Sequence, residues 1–500
     1  MKRLTVEPGK TPDICPVFEE CNGQDTFFRV AIFGENSMDA PYDQDGSATH
    51  VFPSPDGYLV LGSQTFMQTD YRVGNSSVWA MKLAFDGTIA WQRQYAPAFF
   101  FNAIIDAVEA EGGALLALTE SLPDEDVPTQ DDVLLLKIDA LGDIVWQKTL
   151  GAPEKNDSAY AVRKTRSGDF LVAGNSPVLN PDRTVSAALV TRVDGAGEIL
   201  SQRLVRSKVP DYPFFYGTGA VETPDGGVAL VGALYDVQDP VAVLKLDAGG
   251  TLLWQKAISD GAQGLVYVDA APDGSLAVVS DWTDWSGSHD DVPEENQVPV
   301  WGMLVNRLSA DGRLLWQRLV GVRADQYSVT PRKVMVGPDG GIYVLAAGWG
   351  HNSSDWSTKA MLFKFDDRGD LVWKRLYGLE MTEDFTASLA AASLSFDTDG
   401  GILITGGLRL DGWYGGISSG TNEVGMFLLK AGSDGRLRDG CPLQADGEVP
   451  VEVVEYLPAD VEMELVEVNL PVRESRLSAR PGIFTDSAQL CGMSLPPATE

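Results

Sequence analysis

Residues 134–151 read LLLKIDALGDIVWQKTLG: an apolar run broken by one lysine, then an aspartate, a glycine and a Trp-Gln. The phrase returns along the chain. FDGTIAWQ (85–92), IDALGDIVWQ (138–147), LDAGGTLLWQ (246–255), LSADGRLLWQ (308–317) and FDDRGDLVWK (365–374) are full copies. VDGAGEILSQ (193–202) carries Ser201 in place of the tryptophan, and AGSDGRLRDG (431–440) loses the ending. Seven copies spaced by about 55 residues predict a solenoid or a propeller.

A second phrase alternates with the first: PDGYLVLG (55–62), SGDFLVAG (167–174), PDGGVALVG (224–232), PDGSLAVVS (272–280), PDGGIYVLA (338–346) and TDGGILITG (398–406), with EGGALLAL (111–118) as a weaker copy. Asp-Gly and Gly-Gly between apolar alternations suit tight turns, because such turns need positive φ, which glycine adopts without steric cost. Each unit therefore reads as four short strands: A before this phrase, B after it, C ending at the aspartate, and D carrying the tryptophan. No segment holds a helical period over three turns. Four antiparallel strands repeated seven times describe an all-β, seven-bladed β-propeller. The aspartate then hydrogen-bonds the C–D turn, the glycine makes it, and the tryptophan wedges between neighbouring blades.

The last unit lacks a clear D strand, while TFFRVAIFG (26–34) is a spare one at the other end. Residues 26–34 are expected beside strand 424–431, where they would close the ring and remove its free edges. This defines an N-terminal extension (1–25), a propeller (26–441) and a C-terminal β appendage (442–500). In the appendage, VPVEVVEYLPADVEMELVEVNLPV (449–472) alternates apolar and acidic residues in two runs, predicting a half-buried hairpin or edge pair packed on the propeller.

Phrases of the form KxDxxGxxxWQKxxG alternating with DGGxxxxG resemble the bacterial PQQ-like and delta-60-type propeller repeats over roughly residues 26–441. The resemblance implies a propeller and an exported protein. It leaves function open, since such blades occur in quinoprotein dehydrogenases and in non-catalytic scaffolds and surface proteins.

Seventy-one acidic against 38 basic residues give a formal net charge of −33, which disfavours nucleic acid and anionic lipid as partners. No run approaches the ~20 apolar residues that span a bilayer. Met1-Lys2-Arg3 has the basic start of a signal peptide without the apolar core that should follow. The four cysteines, Cys15, Cys21, Cys441 and Cys491, sit only in the terminal segments. No CxxC or neighbouring histidine makes them metal ligands. Ring closure by 26–34 would bring Cys21 near Cys441. Disulfides Cys21–Cys441 and Cys15–Cys491 are therefore expected, one choice among three pairings, in an extracellular or periplasmic setting.

Catalytic chemistry has little to draw on. His50, His289 and His351 are the only histidines, each read as a loop or strand-end residue, and no Ser/His/Asp set or HExxH motif forms. A quinoprotein would carry eight blades and adjacent cysteines, which this chain lacks. A glycosidase needs only two carboxylates placed about a sugar. No cofactor is expected. For calcium, DEDVPTQDD (124–132) and HDDVPEE (289–295) offer oxygens without EF-hand spacing.

The aromatic residues gather in the segments between B and C and between D and A, on one face of the propeller. Variable loops on a rigid ring commonly hold binding sites. Trp282, Trp285, Trp349, Trp356, Trp413 and Tyr414 are the candidate ligand-binding residues, read as B–C loop positions. They suit the apolar face of a sugar or anchors on a protein partner. The expected function is non-catalytic recognition of a glycan or protein by a secreted or surface-exposed protein. A structural subunit of a larger assembly and a propeller hydrolase or quinoprotein-like enzyme are the alternatives.

Overall fold

The computed structural model describes residues 26–32, 42–68, 75–85, 88–96, 103–110, 115–121, 132–150, 157–180, 183–207, 215–234, 240–259, 265–284, 300–322, 327–350, 358–378, 385–414, 417–418 and 423–437, with 444–445, 451–453, 459–460, 463–467, 472–474 and 478–481 in the C-terminal region. These residues form an all-β structure of four-stranded antiparallel meanders in a propeller arrangement. Sheet 2 shows the pattern, with Ala103–Glu109, Leu115–Ser121, Asp132–Ile138 and Ile144–Leu150 ordered A-B-C-D. Equivalent sheets lie within 42–96 (sheet 1), 158–207 (3), 215–259 (4), 266–322 (5) and 327–377 (6). Sheet 7 takes A, B and C from Phe385–Phe396, Ile402–Tyr414 and Glu423–Ala431. Its outermost strand is Phe27–Ile32, antiparallel to Glu423–Ala431 with Phe27 opposite Lys430.

The opening phrase is a turn in the sheet and a joint between sheets. Asp139 accepts the amide hydrogens of Leu141 and Asp143, each at 2.9 Å, and Gly142 closes the turn at φ 79°. The tryptophan of one D strand then lies on the C–D turn of the next sheet. Trp91, Trp146, Trp254 and Trp316 donate their indole N–H to the carbonyls of Ala140, Gly195, Ala310 and Asp367, at 2.9–3.1 Å. Tyr95 and Tyr377 add hydroxyl bonds to the turn carbonyls of Gly142 (2.7 Å) and Gly435 (2.6 Å). Where Ser201 replaces the tryptophan, the turn glycine Gly250 faces the Arg203 guanidinium instead.

The basic residue two places before the first residue of the C–D turn also has a job; that first residue is an aspartate in sheets 3, 4 and 6, and Ala84 and Gly432 in sheets 1 and 7. Lys82, Arg192, Lys245, Lys364 and Lys430 reach back across their own sheet to pair with Asp56, Asp169, Asp225, Asp339 and Asp399 of the A–B turn. Both turns of a sheet end are thereby tied together.

Because each sheet is covered on both faces, its central strands are buried throughout, and strand Asp132–Ile138 has six of its seven residues buried. This is why B and C read as apolar runs rather than strict alternations. Among the described residues, seven apolar clusters fill the spaces between successive sheets. One of them joins Leu403, Met426 and Phe27 of sheet 7 to Val60 and Trp79 of sheet 1.

Of the two arrangements expected for the C-terminal region, a hairpin or an edge pair, its described residues do not form the hairpin. Its short strands do not pair with each other: each adds antiparallel to a different D strand. Gln444–Ala445 joins sheet 6, Val451–Val453 sheet 5, Ala459–Asp460 sheet 4, Met463–Glu467 sheet 3, Val472–Glu474 sheet 2 and Ser478–Pro481 sheet 1. The tail is a belt running backwards over the outer edges. Those edges present unpaired backbone groups that attract any extended chain, and six separate edges outcompete one hairpin.

Candidate functional site

The A strands form the inner edge of the structure, and those of successive sheets lie side by side. Six of them are bulged at matching places, the extra residues being Thr49, Ile105, Tyr160, Thr218, Arg332 and Ala392. The A strand of sheet 5, Val266–Ala270, keeps an unbroken register. Bulges leave one residue unpaired and re-aim its side chain, and they gather at edges and near functional sites.

An inner edge has no further strand to satisfy its backbone, so neighbouring side chains supply the bonds. Thr218 accepts the Val266 amide and donates to the Val266 carbonyl, both at 2.8 Å. Asp269 accepts the Val336 amide at 2.7 Å, and Ser395 donates to the Val51 carbonyl at 2.9 Å. Asp106 does the most: its Oδ2 accepts the Val162 amide at 3.0 Å and the Arg163 guanidinium, while its Oδ1 lies 2.8 Å from His50 Nε2.

Burial alone would raise the Asp106 pKa. The Arg163 charge, the His50 hydrogen bond and Lys333 outweigh it and hold the carboxyl well below the usual range. With Asp106 ionised, His50 Nε2 carries the proton and donates it. The Ala107 amide, 3.2 Å from the same nitrogen, then has no lone pair there to reach. Burial lowers the His50 pKa despite Asp106, so the ring is neutral and its buried Nδ1 is a bare acceptor without a hydrogen-bond partner among the described residues. His50 is 5% exposed and lies inside strand Tyr42–Ser54. The sequence reads it as a loop or strand-end residue; the structure places it within the strand and buried, next to the bulge at Thr49.

The cluster extends to the A strands of sheets 5 and 6. Lys333 feels the charges of Asp106, Arg163 and Asp269, and burial lowers its pKa. Asp269 is raised by burial, and Tyr267 is pushed up to about 12 by burial. Groups on the A strands of sheets 2, 3, 5 and 6 thus act on one another. Arg163, Arg332 and Lys333 share this region with Asp106, Asp269 and Asp281, three groups of each sign. Arg332 Nε is buried without a hydrogen-bond partner among the described residues. Arg163 and Asp106 are consumed by each other and by backbone.

The sequence-derived aromatic site lies at one end of the sheets. Trp282, Trp349, Trp413 and Tyr414 fall within the last three residues of the B strands Leu276–Asp284, Ile342–Gly350 and Ile402–Tyr414. They are strand rather than loop positions, because the B–C ladders run further than the apolar pattern does: Trp282 pairs with Gly302, Trp349 with Thr358, and Trp413 with Ser418 in the short strand Ile417–Ser418. Trp282 is half-buried. Trp285, Trp356, His289, His351 and all four cysteines lie outside the described residues, as do the two acidic loops apart from Asp132. The described residues contain no group of three or more His, Cys, Asp or Glu placed to hold a metal, and no helix long and apolar enough to cross a membrane.

No protein-family model matches the sequence, and no curated protein matches it. Solved structures do. A protein of unknown function from Dyadobacter fermentans is 11% identical over 81% of this chain and 98% of its own, with a TM-score of 0.41. The β-propeller domain of the Trilobed protease from Pyrococcus furiosus is 8% identical over 74% and 96%, TM-score 0.38. A Synechocystis apocarotenoid oxygenase is 11% identical over 91% and 99%, TM-score 0.41. At such scores these likenesses carry no argument about activity.

Proposed function

We propose that the sheets are the seven blades of one propeller, closed into a ring by Phe27–Ile32, and that the ring is a secreted or surface-exposed, non-catalytic recognition protein. Its ligand is a glycan or a protein partner, taken on the end where the B strands finish. One observation carries the reading: Trp282, Trp349, Trp413 and Tyr414 come to the same end of three successive sheets. Aromatic residues carried on the backbone of paired strands need less ordering on binding than residues of free loops. The cluster around His50 supports a non-catalytic role, since both Asp106 oxygens and the His50 proton are engaged in joining sheets 1, 2 and 3.

The test is a glycan array, paired with co-purification from the native source, using the intact protein and the Trp349→Ala and Trp413→Ala variants. A ligand retained by the intact protein and lost by a variant with an unchanged melting temperature supports the reading. Binding equal in all three proteins overturns it. A second reading follows from Arg332: a small oxyanion held in the centre by Arg332 and Lys333. Sulfate should then raise the melting temperature of the intact protein and not of Lys333→Met.

A further inference from the structure

One joint between sheets differs from the others. Where Trp91, Trp146, Trp254 and Trp316 lie on the next C–D turn, a ring atom comes within 2.6–3.1 Å of the point where a Cβ would stand on the turn glycine. Between sheets 3 and 4 the residue at this position is Ser201, which is half-buried. There the nearest atom to the same point on Gly250 is Arg203 Nε at 3.5 Å, an ordinary contact. In the four complete joints the carbonyl that takes the indole N–H lies two residues before the turn glycine. Its counterpart here is the exposed Ala248, whose carbonyl has no donor among the described residues. The arginine half of the joint persists. Arg93, Arg318 and Arg375 donate from Nη1 to the carbonyl of the preceding residue at 2.8–3.1 Å and sit 5.2–5.8 Å from the centre of a tryptophan ring. Arg203 makes the same bond to the Gln202 carbonyl at 3.0 Å, with a serine where the ring belongs.

We propose that this joint is a binding slot for an indole, the side chain of a tryptophan carried on an extended segment of a protein partner. The chemistry is that of the four complete joints: a flat ring against a turn glycine, its N–H on a carbonyl. In the slot the ring lies on Gly250, donates to the Ala248 carbonyl and takes the Arg203 guanidinium on its other face as a cation–π contact. The strand edge says how the ring is delivered. The belt strand Met463–Glu467 pairs with Arg203–Ser207, and among the described residues no strand adds to the edge beside Ser201. A partner segment laid along that edge continues the ladder that the belt occupies and sets one side chain in the slot. Tryptophan is among the residues that most often anchor protein interfaces. The slot lies at the C–D turn end of the sheets, opposite the end where Trp349 and Trp413 come together, so the two sites stand or fall separately.

The probe is N-acetyl-5-fluorotryptophanamide, observed by fluorine NMR in the presence of the full chain. Its resonance should broaden with a Kd of about 1 mM or tighter. The affinity should fall about tenfold or more in Ser201→Trp, whose own ring fills the slot. Ser201→Leu, which blocks the slot without rebuilding the joint, should do the same and serves if Ser201→Trp melts below the parent. A fluorinated N-acetylphenylalaninamide, which lacks the ring N–H, should bind about tenfold more weakly. The peptide acetyl-Val-Glu-Trp-Glu-Val-amide, carrying the same fluorinated indole, should bind about tenfold more tightly than the single residue through its main-chain bonds. No broadening by the intact protein, or equal binding by the blocked variants, overturns the slot. A phenylalanine probe that binds as well overturns the indole, and a peptide no tighter than the single residue overturns delivery on a strand.

Discussion

The joint between sheets predicts that two glycines of nearly identical conformation will respond differently to the same substitution. Gly340, in an A–B turn, has φ 78° and open space where a Cβ would stand. Gly369, in a C–D turn, has φ 81°, and its Cβ would lie 2.6 Å from Cδ2 of the Trp316 ring. Alanine at either site bears the left-handed strain of about 1 kcal/mol. At Gly369 it must also displace a ring that is 9% exposed and bonded to the Asp367 carbonyl at 2.9 Å. Overpacking of this kind costs about 1–3 kcal/mol more. A chain of 500 residues unfolding as one unit has an unfolding entropy near 1 kcal/mol/K, so each kcal/mol moves the midpoint by roughly 1 °C. Calorimetry at one scan rate should therefore place Gly340→Ala about 1 °C and Gly369→Ala about 3 °C below the parent. In a Trp316→Ala background the extra loss at Gly369 should shrink towards the Gly340 value. Equal losses at both glycines in the parent would refute the view that the tryptophan holds neighbouring sheets together.

The inner edge yields two further expectations. His50 has a folded pKa lowered from 6.5 by burial, so the unfolded chain binds its proton first as pH falls, and stability should decline below about pH 6.5; urea midpoints across this range should flatten in His50→Gln. Asp106→Ala, which strands Arg163 and the Val162 amide, should cost about 3–5 kcal/mol, with Asp106→Asn losing less because the amide bond can persist.

Much of this fold is written in local chemistry. An aspartate that bonds its own turn, a glycine at positive φ and a tryptophan after it act within a few residues, and their recurrence counts the sheets. The basic residue near the end of strand C recurs as visibly, but its partner sits on the opposite turn, so its meaning appears only when the sheet is built. The His50–Asp106–Arg163 network escaped for a related reason. Its members are 56 and 57 residues apart, close to the repeat spacing, so aligning the A strands would have stacked all three; searching for motifs within single stretches does not. The belt was legible as strands and illegible as pairings. Alternation in 449–472 specifies an extended, half-polar segment, and says nothing about which edge, hundreds of residues earlier, will accept it.

That belt also sets an order of events. The segments made last meet the sheets made just before them first, Gln444–Ala445 on sheet 6 and Ser478–Pro481 only at sheet 1. Each docking closes a short loop onto a site adjacent to the one already filled, so the entropy of bringing distant chain together is met in small instalments. Wrapping should proceed like a zipper, and pulling on the C-terminus should undo it one sheet at a time, from sheet 1 backwards, with the propeller beneath still folded.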